Sequence, residues 1–241
     1  MDDHAARIKA LIAHQPAGPD TGTGTAGFLQ RLCAAATRTL GVSGVGVTLM
    51  AEDGVRGLAT ASDPATERLE EVQFVLGEGP CIDAFEARRP VLMPDLTDRA
   101  LSRWPVYTPT IHDSGVRAVF AFPLQVGASR LGVLDLFRTT PGPLTAAQLA
   151  QALVFADVAV GTLLDGQERA GPGAAADGLD EAMDSRAELF QAQGMVMVQL
   201  GVPLAEALAR LRAYAYAESL PLAEVARDVV ARQLRFDRDH A

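Results

Sequence analysis

Cys81 stands directly behind Gly77-Glu-Gly-Pro80, at the start of a segment that reads as a helix. A helix amino terminus stabilises a thiolate, so Cys81 is the position where redox sensing could reside. Its other role would be that of a small buried hydrophobe. Cys33, on an earlier predicted helix, has no partner in the pattern, so the two cysteines give neither a disulfide framework nor a metal-binding spacing. His4, His14, His112 and His240 share no ligand spacing with one another or with the cysteines, and no metal site is expected. The paired acids Glu52/Asp53 and Glu70/Glu71 fall on a turn and on a helix surface, where solvated charge is the expectation. There is no phosphate-cradling glycine loop, no nucleophile elbow and no kinase signature, so no catalytic residue is expected and the chain reads as a non-enzyme.

A second chemistry lies near the carboxyl end. Arg212 and Tyr216 are four apart on a predicted helix and share a face, and Arg210 with Tyr214 makes a similar pair on another side. A guanidinium beside an aromatic ring can hold a phosphate while the ring stacks an unpaired base, at roughly 1–3 kcal/mol per base. Arg227, Arg232, Arg235 and Arg238 could add a local basic patch. The alternative is that the rings pack at a bundle edge while the arginines solvate it. Net charge is −9 over the whole chain. Non-specific attraction to phosphate is therefore weak, and nucleic-acid binding would need local arginines, shape-specific contacts and two modules acting together.

These groups must be positioned by two folded units. With 241 residues and 49% hydrophobic composition, the chain accommodates one domain of about 130–150 residues plus a small helical module. No apolar run follows Met1-Asp-Asp-His4, and the most apolar stretch, Ala146 to Leu164, is interrupted by Gln148, Gln151 and Asp157. It reads as an amphipathic helix, so no membrane segment is expected and the location is expected to be cytoplasmic.

Residues 1–26 read as a mobile arm. Phe28, Leu29, Leu32, Ala36 and Leu40 predict a helix stopped by Gly41, followed by a strand at Val45–Met50 and a turn at Glu52-Asp-Gly54 into a second strand ending near Ala61. A helix beginning at Pro64 or Ala65 leads to Gln73–Leu76, and Cys81–Ala87 forms another. Val91–Met93 is short and extended, Val116–Gln125 and Arg130–Phe137 are strong strands joined at Gly127, and a long helix runs from Thr145 to about Gln167. This order predicts an α+β domain over 27–168 built on an antiparallel sheet. Residues 169–178, with Gly171-Pro-Gly-Ala-Ala-Ala-Asp-Gly178, read as a flexible linker. Residues 179–236 then give three short helices separated by Gly201-Val-Pro203 and Ser219-Leu-Pro221, before a tail at 237–241.

Two resemblances attach to this layout. The run Ala192-Gln-Gly-Met-Val-Met197, with Glu206-Ala207, Leu211-Arg212, Ala215, Val225-Ala226 and Val229-Val230 in order behind it, resembles the ANTAR domain, the RNA-binding output module of bacterial antiterminators. Many ANTAR domains carry lysine where this chain has Gln193. Gly77-Glu-Gly-Pro-Cys81, Arg117–Leu124 and Leu131–Leu136 resemble the GAF sensory domain. The pairing implies a transcription antitermination regulator that binds paired RNA hairpins in leader transcripts as a homodimer. Its RNA-contacting residues are expected to be Arg186, Gln193, Gly194, Met197, Arg212, Tyr214, Tyr216 and Arg227. The GAF resemblance implies a pocket for an unspecified small molecule, for which Phe74, Cys81, Phe85, Trp104, Phe120, Phe122 and Leu134 are candidate lining residues, with ordinary core packing as their other role. The Asn-Lys-Phe-Asp-Glu series that marks cyclic-nucleotide GAF domains is absent. A DNA-binding regulator, a dimerising scaffold, a redox sensor using Cys81 and a GAF-type sulfoxide reductase remain as alternatives.

Overall fold

Strand β4 (Ala118–Val126), rich in Val and Phe, and strand β5 (Ser129–Arg138), built around the apolar run Leu131–Phe137, pair antiparallel across a turn whose Gly127 has φ 56°. Strand β1 (Gly44–Met50) pairs with the other side of β5, β2 (Arg56–Ala61) with β1, and β3 (Val91–Met93) with β4. The result is a five-stranded sheet in the order β2-β1-β5-β4-β3, antiparallel throughout. The computed structural model describes residues 2–15, 24–50, 56–170 and 180–237. The predicted turn at 52–54 and the linker segment 171–178 lie outside these.

Period-two alternation divides the sheet into two buried faces. Val45, Val47, Phe120, Phe122, Leu124, Leu134 and Leu136 point to one side, where α2 (Gly24–Leu40) and α7 (Ala146–Ala170) cover them. Met50, Val119, Ala121, Val133 and Phe137 point to the other, beneath α3 (Pro64–Leu76), α4 (Pro80–Ala87), α5 (Asp98–Arg103) and α6 (Tyr107–Asp113). Helix α7 is long and apolar enough to cross a membrane by length and composition, yet it packs Ala152, Phe155, Ala159 and Leu163 into the first core.

The mobile-arm expectation fails for most of its first half. Asp2–Ala13 forms α1, which packs on α2 and α7 with Ile8 and Ile12 buried. Two isoleucines four residues apart make one apolar ridge, and burying each contributes about 1.5–3 kcal/mol.

The carboxyl-terminal module consists of α8 (Asp180–Leu200), α9 (Leu204–Glu218) and α10 (Leu222–Val230). Gly201 (φ 68°) ends α8, and Ser219 (φ 55°) ends α9 in the left-handed conformation before Pro221 caps α10. Leu189, Ala192, Val196, Ala207, Leu211, Ala215, Leu222, Val225, Ala226 and Val229 form its core. Val75 and Phe74, from α3 of the sheet domain, belong to that same cluster. The module is docked on α3.

Candidate functional site

Helix α3 begins firmly. Asp63 at its N-cap accepts from the N–H groups of Ala65 and Thr66, both at 2.9 Å, and from the hydroxyls of Ser62 (2.7 Å) and Thr66 (2.8 Å). Burial would raise the Asp63 pKa, but these hydrogen bonds outweigh it and hold the carboxyl below its ordinary value. The helix then lies along β1, where Gly44 and Gly46 supply the space: a methyl at Gly44 would collide with Thr66 and one at Gly46 with the carboxyl of Glu70. Gly46 is paired in register with Asp135 of β5, so the strand glycine brings the two acids to one spot.

Glu70 is 4% and Asp135 0% exposed, overturning the surface-charge expectation for Glu70. Burial, then the neighbouring Asp135 charge, pushes the Glu70 pKa well above the carboxylate range. Burial likewise raises Asp135 to about 7, against hydrogen bonds from Cys81 and Glu70 that lower it. Two carboxylates in a desolvated site disfavour each other's ionisation unless a countercharge is brought to them. Thr48 donates its hydroxyl to Glu70 Oε2 at 3.2 Å. Cys81, also buried, comes from α4 on the third side, with its Sγ 3.8 Å from Met50 Sδ. One ligand atom from each of Glu70, Cys81 and Asp135 lies within 4.8 Å of the other two. Spacing along the sequence placed no metal ligands; here two carboxylates and a thiol, with no histidine, come together from three separate elements.

The Gly77-Glu-Gly-Pro-Cys81 motif explains how Cys81 is placed. Gly77 closes α3 in the left-handed conformation at φ 69°, and Gly79 at φ 139° adopts a backbone open only to glycine while leaving room for Gln73. Pro80 opens α4, and Gln73 Oε1 accepts from the Cys81 N–H at 2.9 Å. Glu78 Oε1 accepts from the N–H groups of Val106 (2.7 Å) and Tyr107 (2.6 Å), capping α6. Tyr107 is fully buried, its hydroxyl has no hydrogen-bond partner among the described residues, and burial raises its pKa with the charges of Asp135, Glu70 and Cys81 adding to the effect.

On the outer side of α3 the next residue, Glu71, reaches the module. Its Oε1 accepts from the Leu222 N–H at 2.7 Å. Pro221, at the cap of α10, has no side-chain acceptor of its own, so a carboxylate from the other domain fills that place. Burial raises the Glu71 pKa against this hydrogen bond, and its expected place among solvated surface charges is corrected too. Below it, a methyl at Gly77 would stand 2.5 Å from Nη1 of Arg212. The guanidinium therefore lies against the α3 terminus.

The expected pocket residues do not share one site. Cys81, Phe85 and Trp104 lie in the core under α3–α6, while Phe120, Phe122 and Leu134 point through the sheet to the α2/α7 side, and Phe74 packs against the module. The physical reason is strand parity: even-numbered positions of β4 face away from Cys81. The expected RNA residues also separate. Gln193 is buried and donates from Nε2 to the Leu204 carbonyl at 2.8 Å, an amide role that holds α8 to α9. Met197, partly buried, packs against the module core, and Tyr214 stacks edge-on against Phe236 with centroids 5.6 Å apart. Gly194 is open, Tyr216 is exposed, and the exposed side chain of Arg227 lies 3.8 Å from Glu188. The side chain of Arg186 lies outside the described residues.

Residues 23–163 match the family model of the GAF domain, and residues 177–230 match that of the ANTAR domain. Among solved structures, the chain is similar to the GAF domain of an Acinetobacter phosphoenolpyruvate-protein phosphotransferase, at 15% identity with TM-score 0.50, covering 68% of this chain and 92% of that one. It is also similar to the GAF domain of the corresponding Coxiella burnetii protein, at 12% identity with TM-score 0.51, covering 69% and 94%. These likenesses establish the fold. No curated protein matches the chain.

Proposed function

The chain belongs to the GAF family and carries an ANTAR domain behind it, and from that premise we propose that it is an RNA-binding transcription antitermination regulator whose GAF domain controls the ANTAR module. The observation that carries the control step is the docking of α9 and α10 on α3, with Glu71 bonded to Leu222 and Arg212 set against Gly77. Coupling therefore does not need to pass through the glycine-rich linker. A signal that moves α3 changes the hold on the module directly.

In the docked state Arg212 is turned to the GAF domain while Tyr216 and Arg227 stay exposed, so docking withholds one member of the Arg212–Tyr216 pair. Release would complete the face for an unpaired hairpin-loop base. Phe190, Gly194 and Val198 follow one another at four-residue spacing on α8, with Phe190 37% and Val198 75% exposed. That stripe supports a homodimer presenting two modules to paired hairpins. Sensing by peroxide at Cys81 is disfavoured by its burial and by the acids around it.

The test is fluorescence anisotropy of the full chain with a tandem-hairpin RNA and an equal-length duplex DNA across a salt series, repeated with Tyr216→Ala and Arg227→Ala. Selective RNA binding, weakened in both variants, is expected. Equal affinity for duplex DNA, or no RNA binding even when the docking hydrogen bond is removed by Glu71→Ala, would overturn the reading.

A further inference from the structure

We propose that Glu70, Cys81 and Asp135 form a binding site for a divalent transition-metal cation of the zinc type, buried between the sheet and α3–α4 of the GAF domain. The three donors come from α3, α4 and β5, and their ligand atoms lie within 4.8 Å of one another, a spread that a single ion can gather. A proton shared by the two carboxyls would satisfy the acid pair alone. It leaves two further buried polar atoms, the Tyr107 hydroxyl and Gln73 Nε2, without hydrogen-bond partners among the described residues. Tyr107 is fully buried and within electrostatic reach of all three donors, which makes it an independent polar group at the same centre. A cation with three protein ligands keeps a fourth position, and a water held there would give the Tyr107 hydroxyl its partner.

The donor set selects the metal class. One thiolate with two carboxylates is too soft for magnesium or calcium, which take oxygen alone, and suits zinc or a neighbouring divalent ion. Binding exchanges protons for the ion: the thiol and any protonated carboxyl release their protons to solvent, and no oxidant or reductant is needed. The apolar wall supplied by Met50, Val133 and Phe137 keeps bulk water from competing for the ligands.

The site has an output built in. Glu70 is followed immediately by Glu71, which holds the α10 terminus, so drawing Glu70 onto a cation moves the helix that carries the docking hydrogen bond. This last step rests on the proposed antitermination reading; the cation site itself does not.

The experiment is a titration of the chelator-stripped full chain with Co²⁺, a spectroscopic stand-in for zinc, without RNA. Expected are saturation at one equivalent, a near-ultraviolet thiolate-to-cobalt charge-transfer band, and displacement of that band by Zn²⁺. The band should persist in Cys33→Ala, vanish in Cys81→Ala, and require roughly tenfold more metal in Tyr107→Phe, which removes only an outer-shell hydroxyl. No band in the wild-type chain overturns the proposal before any variant is needed; so does a band that survives Cys81→Ala, which would place the ion elsewhere. Anisotropy with hairpin RNA, with and without Zn²⁺, follows. A band with no RNA binding in either the wild type or Glu71→Ala keeps the cation site and rejects the RNA reading, whereas RNA binding without a band does the reverse.

Discussion

Glu71→Ala should loosen the module from the GAF domain without unfolding either. The substitution removes a hydrogen bond of 2.7 Å between the Glu71 carboxylate and the first N–H of α10. A hydrogen bond to a charged group contributes about 1.5–3 kcal/mol, and a carboxylate at a helix amino terminus adds about 0.3–1 kcal/mol. Burial, which raises the Glu71 pKa, offsets part of this. A net destabilisation of about 1–2 kcal/mol shifts the docked population roughly five- to thirtyfold. Hydrogen exchange is the direct assay: amides of Leu222–Val225 and of the Phe74–Gly77 end of α3 should exchange faster in Glu71→Ala, while those of β4 and β5 stay protected. Glu71→Gln keeps an acceptor at the same place and should exchange nearly as slowly as the wild type. Hairpin-RNA affinity should rise in Glu71→Ala by no more than the population factor, because docking can only withhold the fraction that is docked. Unchanged exchange in Glu71→Ala, or equal acceleration in the Gln and Ala variants, would refute the cap as the interaction that holds the module.

Asp63→Ala should cost about 1 kcal/mol at neutral pH by removing the α3 cap, read as a lower urea midpoint. Because the folded-state pKa of Asp63 is depressed, that stabilisation is present above the unfolded aspartate pKa and lost as pH falls through the folded one, so wild type and variant should converge in acid. Gly46→Ala should cost about 1–3 kcal/mol by forcing the Glu70 carboxyl off β1; a thermal midpoint equal to the wild type would show that the acid has room to move. Tyr216→Ala should leave the thermal midpoint unchanged, since the ring is 53% exposed, and weaken hairpin RNA by about 1–3 kcal/mol if it stacks a base. Equal loss of affinity for duplex DNA would argue against stacking.

The sheet was legible because the short apolar runs of β1, β4 and β5 and the glycine turns that bound them are local properties, and so was the order of the helices, because their apolar periods and breaking residues are local too. Parity along β4 was present in the sequence as well: counting by two from Phe120 separates Phe122 and Leu124 from the Val119 and Ala121 side, which removes Phe120 and Phe122 from a pocket with Cys81. Asp135 offered a further signal. A charged residue inside Leu131–Phe137, on the parity of Val133 and Phe137, must be buried and therefore needs a partner. What local pattern could not supply is which partner, because Glu70 and Cys81 meet it only through the glycine positions of β1 and the turn at Gly77–Pro80. The role of Glu71 was hidden for a related reason: the N–H it accepts from belongs to another domain, and Pro221, which leaves α10 uncapped, is the only local hint that a donor there awaits an acceptor.

Helix α3 carries more polar work than a core helix needs. Its Gln73 caps α4, its Glu71 caps α10, and Glu78 just beyond it caps α6, while none of these three helices has a side-chain cap of its own. To seat Thr66 and Glu70, β1 uses Gly44 and Gly46 in mid-sheet, where glycine is disfavoured by roughly 0.5–1 kcal/mol each relative to alanine. Apolar residues at 66, 70 and 135 packed on alanines would avoid both that cost and the burial of two acids, so stability alone does not account for the arrangement. An element that gives up stability to hold a titratable, metal-competent centre on one side and the output module on the other is placed to convert a change at the first into a change at the second. Replacing Glu70 and Asp135 by their amides should therefore leave the module docked but unresponsive to Zn²⁺, which hydrogen exchange at Leu222–Val225 with and without the ion would read; an ion response that persists in the double variant would break the link between the two sides of α3.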